Sequence, residues 1–286
     1  DLSDMIAEAT SGKRREIVMQ KAGSTGVLGV TSSLWRQGSR PAAGATPADA
    51  AAGTAFTGAS VGAQYGLDNV SGDTRHLAAA WALASVAGQT LLLYDLLYGV
   101  AKTMNSVANE AVTGVPTRYQ SSTKTDPDYA GGNFLFIQVG GTALAATAHN
   151  WGVAGGANEC LYRNQDGVDN QVMPVLAGNS AAIVDRLDHP VGQWFAPLAA
   201  GDTGIMDLAQ MRCSAAVATG VVWFMIGHPL AFVPVPLANI ACQYDGINTA
   251  FNLVRVFDDA ALAWLELCKP STTATNYNAG VTLIHG

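Results

Sequence analysis

The stretch "HLAAAWALASVAGQTLLLY" (His76–Tyr94) decides the fold, because it reads in two incompatible ways. It carries no Asp, Glu, Lys or Arg, and as one helix it would be long enough to cross a bilayer, which needs about 20 apolar residues. Gly88-Gln89 offers a turn inside it, and two buried strands account for the same residues as well as one span does. The surrounding chain has to arbitrate.

A second long stretch without charged side chains, Cys213 to Tyr244, repeats the ambiguity, and here Gly220, Gly227, His228, Pro229, Pro234 and Pro236 interrupt it. The alternation in "VPVPLANIAC" (Val233–Cys242) is extended rather than helical. Bulky apolar runs bounded by turn residues then recur along the chain. They include "TLLLYDLL" (Thr90–Leu97), "NFLFIQV" (Asn133–Val139), "ECLYR" (Glu159–Arg163), "GVVWFMIG" (Gly220–Gly227), "ALAWLEL" (Ala261–Leu267) and "GVTLIHG" (Gly280–Gly286). "NQDG" (Asn164–Gly167) is a strong turn signal, since Asp-Gly tolerates the positive φ that hairpins need. About ten short strands predict a mainly β chain, an antiparallel sandwich or jelly-roll-like domain, with no membrane span.

The N-terminal part reads differently. Asp4–Ala22 is expected to be a helix, with Met5, Ile6 and Ala9 on one face and a break at Ser11-Gly12. The segment Gly38–Gly66, with "GSRPAAGATPADAAAG", has too little bulk to close a core and is expected to be an extended arm. This gives a division into residues 1–66, helix and arm, and residues 67–286, a β-rich assembly domain. Asp1–Gln20 is charged and has no apolar core segment, so no signal peptide is expected.

Composition narrows the class. The chain has 286 residues, 49% apolar and only 13% charged, against a usual charged share of roughly 25%. Little charge over so large a core predicts surface buried against other subunits. A net charge of −7 argues against a nucleic-acid partner.

Candidate chemistry thins out on inspection. "GDTGI" (Gly201–Ile205) contains the Asp-Thr-Gly of aspartic proteases, but Ala199-Ala200-Gly201 precedes it instead of an apolar strand, and no second such tripeptide exists. Asp202 is therefore expected to be a turn residue. The histidines at 76, 149, 189, 228 and 285 form no close pair, and the cysteines at 160, 213, 242 and 268 form no Cys-x-x-Cys, so no metal site is expected. Free buried thiols are slightly favoured over pairing, and intersubunit cross-links stay open. No catalytic residue and no cofactor are expected.

Five stretches together resemble the virion structural proteins of tailed bacteriophages, of the uncharacterised capsid, neck or tail decoration type: "TSSLWRQGSRPAAGATPA" (Thr31–Ala48), "LLLYDLL" (Leu91–Leu97), "LYRNQDG" (Leu161–Gly167), "FAPLAAGDTGIMDL" (Phe195–Leu208) and "RVFDDAALAWLEL" (Arg255–Leu267). The resemblance implies a repeated, non-enzymatic subunit of the virion whose partners are copies of itself and other capsid, neck or tail proteins. The expected assembly is a homotrimer, with Leu34 and Trp35 anchoring the arm on a neighbouring subunit. The rival reading is a carbohydrate-binding adhesin of the tail, with Trp151, in the Gly-rich "HNWGVAGGAN", stacking on sugar.

Overall fold

The computed structural model describes residues 3, 11, 13–23, 25–63, 72–104, 106–155, 159–179, 184–217, 220–249 and 253–286. Eighteen strands are found among them. The first nine are β1 (Arg14–Ala22), β2 (Ser32–Ser33), β3 (Ser39–Arg40), β4 (Thr54–Ala55), β5 (Arg75–Ala84), β6 (Gln89–Thr103), β7 (Asn109–Ala111), β8 (Phe134–Gly140) and β9 (Asn150–Trp151). The rest are β10 (Leu161–Asn164), β11 (Gln171–Val172), β12 (Leu176–Ala177), β13 (Ile205–Arg212), β14 (Val221–Val235), β15 (Cys242–Asp245), β16 (Val254–Arg255), β17 (Leu262–Leu267) and β18 (Asn276–His285).

The opening stretch forms two strands, β5 and β6, joined by a turn in which Gly88 has φ +80°. They enter different sheets. The first sheet runs β15-β5-β18-β1-β3, with β16 also on β5. The second runs β2-β17-β6-β14-β8, with β4 on β6. The two pack face to face as an antiparallel sandwich. Met19, Leu77, Ala80, Ala82, Tyr277 and Val281 of the first meet Leu91, Leu93, Val233 and Trp264 of the second.

Burial explains why the two halves of that stretch look so different. β5 is covered on one face, so its buried and part-exposed residues alternate. β6 is buried almost throughout, because both faces of the second sheet are covered, and "LLLYDLLYGVA" is accordingly an apolar run interrupted only by Asp95. On its far face lie Trp35, Phe56, Ala63 and Leu187. β6 and β14 are each 15 residues long and outrun the sandwich. A register shift, with Leu96 opposite Gly227 but Tyr98 opposite Ile226, bends the pair. Beyond it Leu97, Val100 and Phe224 join Ile137 in another core, roofed by Tyr162, Leu208 and Met211 of the third sheet, β11-β10-β13-β7. β9 and β12 form a separate pair.

The expected N-terminal helix is overturned. Arg14–Ala22 is a strand paired residue for residue with β18, from Arg14 opposite Ile284 to Ala22 opposite Asn276. The local period is two: Met19 and Lys21 point inward and are fully buried, while Glu16, Val18 and Gln20 stay exposed. Residues 4–10 and 12 of the expected helix lie outside the described residues. The helical segment α1 (Gly246–Thr249) is a single turn. Among the described residues no helix is long and apolar enough to cross a membrane.

The Gly-rich segment also differs from an arm reaching outward, because residues 25–63 pack on their own chain. The Lys21 ammonium, fully buried, donates to the carbonyls of Gln37 (2.9 Å), Pro41 (2.8 Å) and Ala42 (3.2 Å). The Phe56 N–H donates to Leu97 O at 3.0 Å, and β4 pairs with β6. These backbone bonds, with Phe56 as a further apolar plug, supply what Leu34 and Trp35 alone could not.

Candidate functional site

The polar groups singled out by sequence turn out to hold loops. Asp202 accepts hydrogen bonds from Tyr162 Oη (2.5 Å) and Asn164 Nδ2 (2.8 Å), and its own N–H closes a turn onto Ala199 O. The Gln165 side-chain oxygen accepts from the N–H groups of Thr203 and Gly204. Gly204 is required by space, since a Cβ there would lie 2.1 Å from Ala130 O. Both carboxylate oxygens of Asp202 are thus committed, and the segment leads into β13 as a turn.

Trp151 is fully buried, not displayed on a loop. Its Nε1 donates to Asp188 Oδ2 at 2.9 Å, and its ring packs edge-on against His149 and Phe224. His149 Nε2 lies 2.6 Å from the same Asp188 oxygen, and Nδ1 lies 2.7 Å from Thr147 O. Both ring nitrogens face acceptors, an arrangement that favours the imidazolium. Burial disfavours that charge, but the Asp188 hydrogen bond and charge outweigh it and raise the pKa above its ordinary 6.5. The other Asp188 oxygen accepts from Asn179 N–H at 2.6 Å. Next along the chain, His189 Nε2 accepts from Ile137 N–H, and burial pushes its pKa down to about 4. One carboxylate, two histidines and one indole tie residues 147–151, Asn179 and Asp188-His189 together.

At the border between the two cores on one face of the second sheet sits Asp95, gripped by Arg118 through Nε–Oδ2 (2.9 Å) and Nη2–Oδ1 (2.7 Å). Ala261 N–H completes the carboxylate, while Arg118 also reaches Phe56 O and Asp259. Tyr119, beside it, stacks on His228 at 3.7 Å. Sequence reasoning did not single out this pair, since its members lie far apart in the chain and belong to no motif.

Leu34 and Trp35 are neighbours on opposite faces of the second sheet at its β2 edge. Leu34 enters the sandwich core and Trp35 the layer beyond, where Nε1 donates to Ala45 O at 2.8 Å. Both are 1% exposed, so their anchoring is within the chain. The four cysteines are free, with Cys160 and Cys213 buried. Among the described residues no group of three His, Cys, Asp or Glu side chains could hold a metal ion.

Some of the exposed apolar side chains cluster. Leu28 (61% exposed), Val191 (67%), Trp194 (38%) and Phe232 (43%) gather at one margin of the second sheet. Trp194 and Phe232 are 6.2 Å apart, and the loops of Leu28 and Val191 touch through the Gly29 O to Gly192 N–H bond.

No protein-family model matches the chain, and no curated protein matches it. A chain in the structure of infectious bursal disease virus, Gt strain, overlaps 95% of this chain and 80% of its own length at 10% identity. Its TM-score of 0.18 is too low to carry an argument about fold or function.

Proposed function

We propose that the chain is a non-enzymatic structural subunit of a tailed bacteriophage virion, working as a homotrimer that decorates or stabilises the capsid, neck or tail. The observation that carries this reading is the strand order. In chain order, the eight framework strands are β1, β2, β5, β6, β14, β15, β17 and β18. One sheet holds the first, eighth, third and sixth as neighbours, and the other the second, seventh, fourth and fifth. That is the order of an eight-stranded jelly roll, an architecture found in viral capsid and lectin domains. The third sheet is an insertion between the fourth and fifth framework strands.

Architecture alone does not name a function, and three further features favour assembly. The buried polar clusters are loop clamps, the charged fraction is low, and an aromatic patch stands exposed around Trp194 and Phe232. Sedimentation of the purified chain, with mass spectrometry of purified particles, tests the proposal. A trimer at micromolar concentration that Phe232→Asp or Trp194→Asp dissociates is expected. A monomer that is absent from particles would refute it.

A further inference from the structure

The outer face of the first sheet, turned away from the sandwich core, carries an aromatic platform. Register fixes which side chains share it: Val18, Gly280, Trp81 and Gln243 form one row across β1, β18, β5 and β15. Two residues along, Gln20, Asn278 and Leu83 make the next row, and in the opposite direction Glu16, Thr282, Ala79 and Asp245 make another. Their chain neighbours Met19, Ala80, Ala82, Ala279 and Val281 are fully buried, so strand alternation sets these rows outside.

Gly280 seats the indole. A Cβ at that position would stand 2.5 Å from Trp81 Nε1 and 2.7 Å from Cε2, so the ring occupies the space over the glycine. A glycine inside a central strand weakens it and marks a close approach; the group approaching here is an aromatic ring outside both cores. Trp81 is only part-buried, unlike the fully buried Trp35, Trp151 and Trp264. Beside it a hollow of about 290 Å³ is lined by Ala79, Gln243, Asp245, Ile247, Thr282 and Ile284, with Arg14 and Ala78.

We propose that this face binds a neutral oligosaccharide, with one pyranose ring stacked on Trp81 and its hydroxyls bonded to Gln20, Asn278, Gln243 and Thr282. A pyranose presents an apolar C–H face and a rim of hydroxyl groups. The platform matches both, since amides and hydroxyls donate and accept at the edge of a flat apolar plate. The rows are spaced by about 4.8 Å across strands and about 7 Å along them, so several side chains surround one ring. Charge in these rows is confined to one of them: Glu16 pairs with Arg14 at 3.9 Å, and Asp245 stands at the other end of its row, so the rows of Trp81 and Asn278 are uncharged. Val18, 54% exposed in the Trp81 row, and Ile247, 62% exposed at the hollow, extend the apolar plate beside these amides. The inference does not depend on the assembly state.

Calorimetric titration of the full chain with cellohexaose, maltohexaose and chitohexaose tests it, with sedimentation run on each variant. Saturable binding of at least one is expected, weakened about tenfold or more in Trp81→Ala, as loss of an aromatic contact implies, and retained in Trp194→Ala. Gly280→Val, which pushes the indole off its seat, should weaken binding as well. If Trp81→Ala fails to fold, Asn278→Ala and Gln243→Ala report on the rim, and undiminished binding in both overturns the proposal. It is also overturned if the wild-type chain binds none of the three, if Trp81→Ala binds equally well, or if Trp81→Ala changes only the association state, which would make the face a subunit contact.

Discussion

Asp95 and Arg118 form a two-point ion pair, at 2.7 and 2.9 Å, where the sandwich core gives way to the core under the third sheet. The carboxylate is fully buried and the guanidinium 3% exposed, so neither charge has water to fall back on. Burial raises the Asp95 pKa while Arg118 opposes that rise. Arg118→Leu would leave the carboxylate unpaired and is expected to lower stability by roughly 3–5 kcal/mol, the range for breaking a buried pair. Urea unfolding measures it. Replacing both, Asp95→Leu with Arg118→Leu, should recover part of the loss; a double variant as unstable as the sum of the singles would show that the pair is not a coupled unit.

The histidines set opposing pH slopes. His149 has a folded pKa above the unfolded 6.5, so its stabilisation is complete below 6.5 and is lost as pH rises through the folded value. His189 and His228 are lowered to about 4 by burial. The unfolded chain takes up their protons first on acidification, so stability falls as pH drops from 6.5 to about 4. Their sum gives maximal stability near pH 6.5 from this set. Lys21, pushed down to about 8 by burial, adds a rising contribution between about 8 and 10.5. Thermal melts from pH 4.5 to 9 should show the maximum, and His149→Gln should flatten the descent just above it.

Asp202 should behave as a structural acceptor. Asp202→Ala strands the Tyr162 hydroxyl and the Asn164 amide and is expected to cost about 1–3 kcal/mol, the penalty for an unsatisfied buried partner. Tyr162→Phe, which leaves the Asn164 bond intact, should cost less. Equal stability of wild type and Asp202→Ala in urea would contradict the turn assignment.

The legibility of this fold follows from the range of the interactions that fix it. The turn at Gly88-Gln89 and the runs flanking it were readable, because alternation in β5 and continuity in β6 report how many faces are covered. The Asp202 turn was readable because its glycines and Ala199 are local. β1 was misread: the apolar residues Ile17, Val18 and Met19 are contiguous, and only pairing with β18, more than 250 residues away, selects period two. Trp151 looked exposed beside glycines, yet its partner Asp188 lies 37 residues on. Trp81 stands in an apolar run, yet its neighbour across the strands is a glycine that no local pattern announces.

Leu34 and Trp35 provide the test of whether residues 25–63 belong to the subunit or to an assembly. Trp35 is packed edge-on against Phe56 at 5.4 Å, and Gly44 lies under its ring, where a Cβ would be 2.1 Å from Cε2. Trp35→Ala empties that layer and is expected to cost about 3–5 kcal/mol, as large-to-small changes of buried aromatics do. Gly44→Ala forces the indole aside and should cost about 1–3 kcal/mol by overpacking. Both losses should appear in the unfolding of the dissociated monomer and not depend on protein concentration. Amide exchange supplies the independent reading: Phe56 N–H, bonded to Leu97 O, and Gly44 N–H, bonded to Trp35 O at 2.7 Å, should be protected in the monomer. If these amides exchange freely until subunits associate, the segment is held by a neighbour and its packing on its own chain is not what orders it.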